Sequence, residues 1–271
     1  MTVANVPCAD GAALAAAASA WIRRDPAGMA LVATVAAMPG AWSALVAIDG
    51  TPVVALAHTP PRLVLLAAAG DPHPSTVAAV ATLLADRDAQ GLSAPPAWAE
   101  AVRVALARHA SARERHRLHT LLGAPRLPRP AIGSARWAVE DDIALLRTWR
   151  DGFVREAMPR ETLPPASAES ARSALADTLL WCVDGCPTAM AMRTRPILGG
   201  LCISWVYTPP TQRRHGYAGA LVHALCERLL ADGATYLALY TDLANPTSNR
   251  LYADIGFAPA DDRELIFWEQ P

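Results

Sequence analysis

The chain has 271 residues, room for two halves of about 130 each, and its 52% hydrophobic content is too high for a disordered chain. A net charge of −1 argues against a dedicated nucleic-acid or membrane-surface protein. All 24 cationic residues are Arg, which with the many Ala and Pro reads as compositional bias.

The first segment, "GAALAAAASAWIRR", is followed rather than preceded by its arginines, the wrong order for a signal peptide. Helical periodicity predicts helices over 10–24 and 27–38. The apolar stretch from Leu31 to Ile48 is interrupted by Pro39 and Gly40, so no membrane-spanning segment is expected. The next segment has Asp49-Gly50 and Pro52 between two apolar runs, a strong hairpin signal, and "RLVLLAAA" follows as a third strand. Gly70, Pro72 and Pro74 then make a loop unsuited to presenting a row of N–H groups. In "SARERHRLHTLL" Arg113, Arg115 and Arg117 alternate with Glu114, His116 and Leu118, the pattern of a solvated strand face. The proline-rich stretch 126–133 reads as a linker, so that residues 1–125 form one domain and 134–271 another.

The second half repeats the pattern. Helices are expected over 141–157 and 167–177, and Asp184-Gly185 with Pro187 marks a second hairpin. The five cysteines are odd in number and show no zinc spacing, although Cys182 and Cys186 flank this turn. A reducing cytoplasm and the absence of a metal follow as expectations. Next come a strand over 201–207, a helix over 216–230, a strand over 236–240, a helix over 246–255 and a strand over 264–268. Antiparallel hairpins joined to a strand–helix–strand crossover make an α/β fold with a mixed sheet.

The stretch "RRHGYA" stands where the crossover helix begins. A helix N-terminus offers unpaired N–H groups and a positive dipole end, hence an anion site. Gly216 removes the Cβ there, Ala218 keeps the next turn slim, and Arg213 and Arg214 add charge. A P-loop would need a Lys, and a dinucleotide fingerprint would need more glycines. Further on, "NPTSNRLYADIGF" places Asn245 as an N-cap before Pro246, Tyr252 two turns later, and Gly256 at the helix end.

These two motifs resemble those of the GNAT acetyltransferase superfamily: R/Q-x-x-G-x-G/A for the acetyl-CoA pyrophosphate loop, and N-x-x-A-x-x-x-Y-x-x-x-G-F. The first half is similar only in its hairpin pattern and lacks both motifs, so the resemblance implies a tandem protein with a degenerate first copy. It implies acetyl-CoA as co-substrate and a small-molecule or peptide amine as acceptor, with no nucleic acid, membrane or metal. It assigns the cofactor to the main chain of Val206, Tyr207 and Thr208, to the loop Arg213, Arg214, His215, Gly216, Tyr217 and Ala218, and to Asn245 and Ser248. Ser248 stands where the motif has Ala. Tyr252 matches the tyrosine that often protonates the thiolate; a core tyrosine with a solvent-facing hydroxyl is the rival reading. The general base is open between Glu156, Asp242 and a base acting through water. A non-catalytic acyl-CoA-binding regulatory module, and a transferase with a different acyl donor, are the alternatives.

Overall fold

The computed structural model describes residues 2–161, 163–194 and 199–269. The chain divides into two compact units that interleave in sequence: Met1–Leu118 with Asp242–Ala244 and Ala260–Pro271, and His119–Thr241 with Asn245–Pro259.

The first unit begins with β1 (Val3–Cys8), α1 (Gly11–Ala17), α2 (Ser19–Arg24), α3 (Pro26–Ala36), β2 (Trp42–Ile48), β3 (Thr51–His58) and β4 (Leu63–Ala68). It continues with α4 (Pro74–Leu84), β5 (Gly91–Ala94), α5 (Pro96–Ala105) and β6 (Ala110–Leu121). The helix predicted over 10–24 is broken at Ala18, the cap shared by α1 and α2. The hairpin turn falls at Asp49 and Gly50, both with positive φ (46° and 81°), as a primed two-residue turn requires. α4 and α5 are helices beyond those expected from the sequence. Each opens on a proline at its first turn, a signal that reads equally as a loop until the helix behind it packs.

The strand that completes this unit comes from the other end of the chain. β12 (Ala258–Trp268) pairs antiparallel with β5, Glu264 opposite Ala94 through Phe267 opposite Gly91. The order is β1-β2-β3-β4-β5-β12-β6. Ile266 and Trp268 enter a core with Val46, Leu56, Leu66, Val80, Leu92 and Trp98. Each such side chain contributes about 1.5–3 kcal/mol when fully buried.

The second unit has β7 (Ser134–Trp137), α6 (Ile143–Ala157), α7 (Ala168–Ser173), β8 (Thr178–Val183), β9 (Cys186–Arg193), β10 (Gly200–Tyr207), α8 (Tyr217–Ala231), β11 (Tyr236–Asp242) and α9 (Pro246–Ile255). The expected 167–177 helix is α7 followed by a short 3₁₀ turn at Leu175–Asp177. The strand order is β11-β10-β9-β8-β7. Alternation along β8 sends Leu179 and Trp181 to one core with Leu221, Leu225, Leu229, Ile255 and Phe257 of the α8–α9 side. Leu180 and Cys182 go to the other face, with Leu146, Trp149 and Tyr207. Both faces are covered, so β10 and β11 read as near-continuous apolar runs.

Two irregularities shape β10. Its parallel ladder with β11 runs only from Gly200↔Tyr236 to Cys202↔Ala238. On its other edge, Ser204 pairs with Met192 and Tyr207 with Met190, so one extra residue is accommodated. Trp205 absorbs it at φ 53°, a left-handed conformation that costs of the order of 1–3 kcal/mol for a non-glycine residue. The end of β10, Ile203–Tyr207, therefore has no ladder partner on the β11 side among the described residues.

Candidate functional site

At the C-terminal end of β10 the chain passes through Thr208 and a 3₁₀ turn, Pro210–Gln212, into α8. Arg214 has φ 69°, and Gly216, the N-cap, has φ 85°. No side chain caps α8, and the Ala220 N–H closes the first turn on the Gly216 carbonyl at 3.1 Å. By helix geometry the N–H groups of the residues just after the cap are left to whatever binds there. His215 stacks on Tyr217 with ring centroids 5.3 Å apart, bracing the turn.

The corresponding helix of the first unit is closed to such use. α4 begins with Pro74, which has no N–H, and the His73 ring caps it by accepting from the Ser75 N–H at 3.3 Å. Thr76 Oγ1 accepts from the His73 N–H at 3.3 Å. Trp98 Nε1 donates to the Gly70 carbonyl at 2.8 Å and fastens the preceding loop.

Glu156, near the end of α6, meets two of the residues assigned to the cofactor. Its Oε1 accepts from the Tyr207 hydroxyl at 3.1 Å, and its Oε2 is held by Arg213 Nη2. Arg213 Nε also donates to the Thr208 carbonyl at 2.9 Å. Burial pushes the Glu156 carboxyl up, but the hydrogen bonds from Arg213 and Tyr207 outweigh it and hold the group below its ordinary value. The Tyr207 phenol is pushed up, first by burial and then by the Glu156 charge. A Cβ at Gly152 would lie 2.6 Å from the Tyr207 hydroxyl, so glycine at this point of α6 makes the approach possible. Around the cluster, Phe153 packs on Trp205 at 4.9 Å and Arg150 lies over the Trp205 ring at 5.5 Å.

Asn245 caps α9, its side chain accepting from the Ser248 N–H at 3.2 Å, and Ser248 Oγ donates back to the Asn245 carbonyl at 3.2 Å. Tyr252 is 7% exposed, inside the α8–α9 core, with Phe257 edge-on at 6.0 Å. Desolvation pushes its phenol well above the usual tyrosine range. Asp242 ends β11 and accepts from the Ala244 N–H at 2.8 Å in a local turn; it groups with the first unit. Asp142, just before α6, is engaged by Arg136 at 2.6 and 2.9 Å and by the Val139 N–H at 2.8 Å.

One residue escaped the sequence reading. Arg129 lies in the stretch read as a linker, and its Cδ would be 3.7 Å from a Cβ placed on Gly216. Its aliphatic stem thus lies beside the start of α8. Only its placement beside a glycine some 90 residues later in the chain reveals it.

The site suits a phosphorylated acyl carrier. An uncapped helix start with arginines about it suits a pyrophosphate. Ser204 Oγ and Thr208 Oγ1 are buried without hydrogen-bond partners among the described residues, and the adjoining main chain has no ladder pair on its β11 side among them, which suits an amide-bearing arm. Among the described residues no group of three or more His, Cys, Asp or Glu could hold a metal ion, and no helix is long and apolar enough to cross a membrane.

Comparison with known proteins agrees with this geometry. Residues 186–266 match the family described as FR47-like protein. A GCN5-related N-acetyltransferase from Sphaerobacter thermophilus superposes with TM-score 0.59 at 17% identity, over 83% of this chain and 79% of that one. One from Kribbella flavida does so with TM-score 0.56 at 21% identity, over 80% and 87%. A tandem GNAT protein from the clavulanic acid biosynthesis pathway matches 98% of both chains with TM-score 0.55 at 16% identity. No curated protein matches the sequence. The GNAT resemblance carried by the two motifs, and the mixed α/β fold expected from it, are met by the fold of the chain.

Proposed function

We propose that this chain, a GNAT-superfamily protein in its tandem form, transfers an acetyl group from acetyl-CoA to a primary amine by direct attack on the thioester. The observation that carries the reading is the uncapped start of α8 at Gly216, set where the bulged end of β10 has left its partner strand. Bound there, acetyl-CoA supplies the activated acyl group.

Each residue then has a definable task. The first-turn N–H groups of α8, with Arg214 and Arg129 beside them, hold the phosphates. The main chain of Val206–Thr208 holds the arm and orients the carbonyl. A lysine-like amine has a pKa of about 10.4 and must lose a proton before it attacks. Glu156 is the acid closest to this machinery by its contacts, and we assign it the role of base, directly or through water. We assign the Tyr252 phenol, protonated at neutral pH, the hydrogen bond to the departing sulfur.

The test is a screen of polyamines, amino acids, peptides and aminoglycosides with acetyl-CoA, read by released thiol and by calorimetric CoA binding. Turnover with any amine supports the reading. CoA binding with no thiol release across the panel favours a regulatory binding module, and absence of CoA binding removes both.

A further inference from the structure

Arg213 stands three residues before Gly216, in the loop that leads to the anion site, yet its guanidinium is committed to Glu156 through Nη2 and to the Thr208 carbonyl through Nε at 2.9 Å. The other carboxylate oxygen of Glu156 takes the Tyr207 hydroxyl at 3.1 Å. Both oxygens of the assigned base are therefore engaged, and an engaged carboxylate is a poor proton acceptor. The pair is not locked in place. Arg213 has 44% and Glu156 33% of its side chain exposed, so the guanidinium can exchange partners at small cost. A pyrophosphate carries more charge than a carboxylate and offers arginine the same bidentate geometry.

Resting on the acetyl-CoA reading, we propose that Arg213 gates Glu156. The cofactor's pyrophosphate competes with the carboxylate for this guanidinium, and binding of the cofactor frees Glu156 to take the proton of the acceptor amine. Tyr207 stays on Oε1 and keeps the carboxylate aimed, because Gly152 fixes the space in which that hydroxyl lies. The protonated acceptor amine gives its proton to the freed Glu156 carboxylate, and the neutral amine that results attacks the thioester. The gate makes cofactor binding precede productive acceptor binding, and it protects the base from idle protonation by a waiting amine.

The charged and titratable groups that bear on Glu156 are Arg213 from the loop, Tyr207 from β10 and Arg155 from its own helix. Loss of the first leaves burial opposed only by the other two, so Glu156 becomes more basic when cofactor binds.

The experiment is calorimetric titration with CoA of the full chain and of Glu156→Gln, Arg213→Gln and the double variant. Removing the competing carboxylate should tighten CoA binding by about twofold to fivefold, the range of a partly exposed ion pair. Arg213→Gln should weaken binding, and Glu156→Gln should give no gain in that background. At acid pH, through the range in which the Glu156 carboxyl titrates, CoA binding to the natural chain should also take up protons in excess of the Glu156→Gln variant, a difference that cancels the ionisation of CoA's own phosphate. If Glu156→Gln does not fold, the same proton uptake compared with Arg213→Gln decides. A natural chain without CoA affinity overturns the acetyl-CoA reading itself. A chain that binds CoA, while Glu156→Gln binds no tighter and shows the same proton uptake, overturns the gate alone.

Discussion

Arg263 on β12 donates to the Ser93 carbonyl on β5 at 2.7 Å, where the β4–β5 ladder ends. The same Nη2 reaches the Leu66 carbonyl at 2.5 Å, and Nε lies 3.3 Å from Ser93 Oγ. The β4–β5 ladder, like that of β10 and β11, runs through three parallel pairs, here Leu63↔Gly91 to Leu65↔Ser93, and then stops. In the second unit no further β10–β11 pair follows among the described residues. In the first, a buried guanidinium occupies the groups beyond the ladder, and α4 is capped by its own residues.

The first prediction is one CoA per chain. Both features that would hold a cofactor in the first unit are already satisfied internally, so calorimetry should give a stoichiometry near one. A second CoA bound against Leu63–Ala69 in a crystal structure would contradict this. Arg263→Met should cost about 2–4 kcal/mol in denaturant unfolding, because the Leu66 and Ser93 carbonyls lose their donor in a dry site.

Gly216→Val should weaken CoA binding by at least about 1–3 kcal/mol. A β-branched residue resists φ 85° and puts a side chain over the exposed N–H groups. Arg129→Ala should weaken binding more modestly, with a smaller salt dependence than the natural chain. Unchanged affinity in a folded Gly216→Val variant would show that phosphate binds elsewhere.

Tyr252→Phe should lower the acetyl-transfer rate by roughly 10²–10⁴, the range for a positioned proton donor, with CoA affinity nearly unchanged. The ring packing against Phe257 is kept, so the melting temperature should hold. Unfolding of the variant would instead identify a core tyrosine, and normal turnover would move the proton donor to another group.

Asp142→Asn should destabilise the chain by about 1–3 kcal/mol at pH 7. The Arg136 hydrogen bond, helped by the Val139 N–H, holds this carboxyl below its ordinary value despite its burial. A depressed folded-state pKa gives stability that is fully present above the unfolded value near 3.9 and lost as pH falls through the folded value. The natural chain and the variant should therefore converge in denaturation midpoint only at acid pH below about 4. A constant difference from pH 7 to pH 2 would rule out the ion pair as the cause.

What the sequence by itself determined is what local chemistry demands. Asp49-Gly50 and Asp184-Gly185 can only turn tightly, so both hairpins are legible. Gly216 at a helix start and Asn245-Pro246 at another announce an open and a capped terminus, because the backbone conformation is written in the residue itself. The strand at Glu264–Trp268 is legible from its apolar run. Its partner is not: antiparallel pairing with β5 joins residues some 170 apart, and nothing in either run specifies the other. Residues 134–271 therefore read as one domain, whereas β12 lies with the first unit. The same limit hides Arg263, Arg129 and the Arg213–Glu156–Tyr207 cluster. An arginine's long side chain meets whatever the tertiary fold brings to it, and whether it plugs a strand gap, borders an anion site or restrains a carboxylate is decided by packing across sequence distances that no local signal spans.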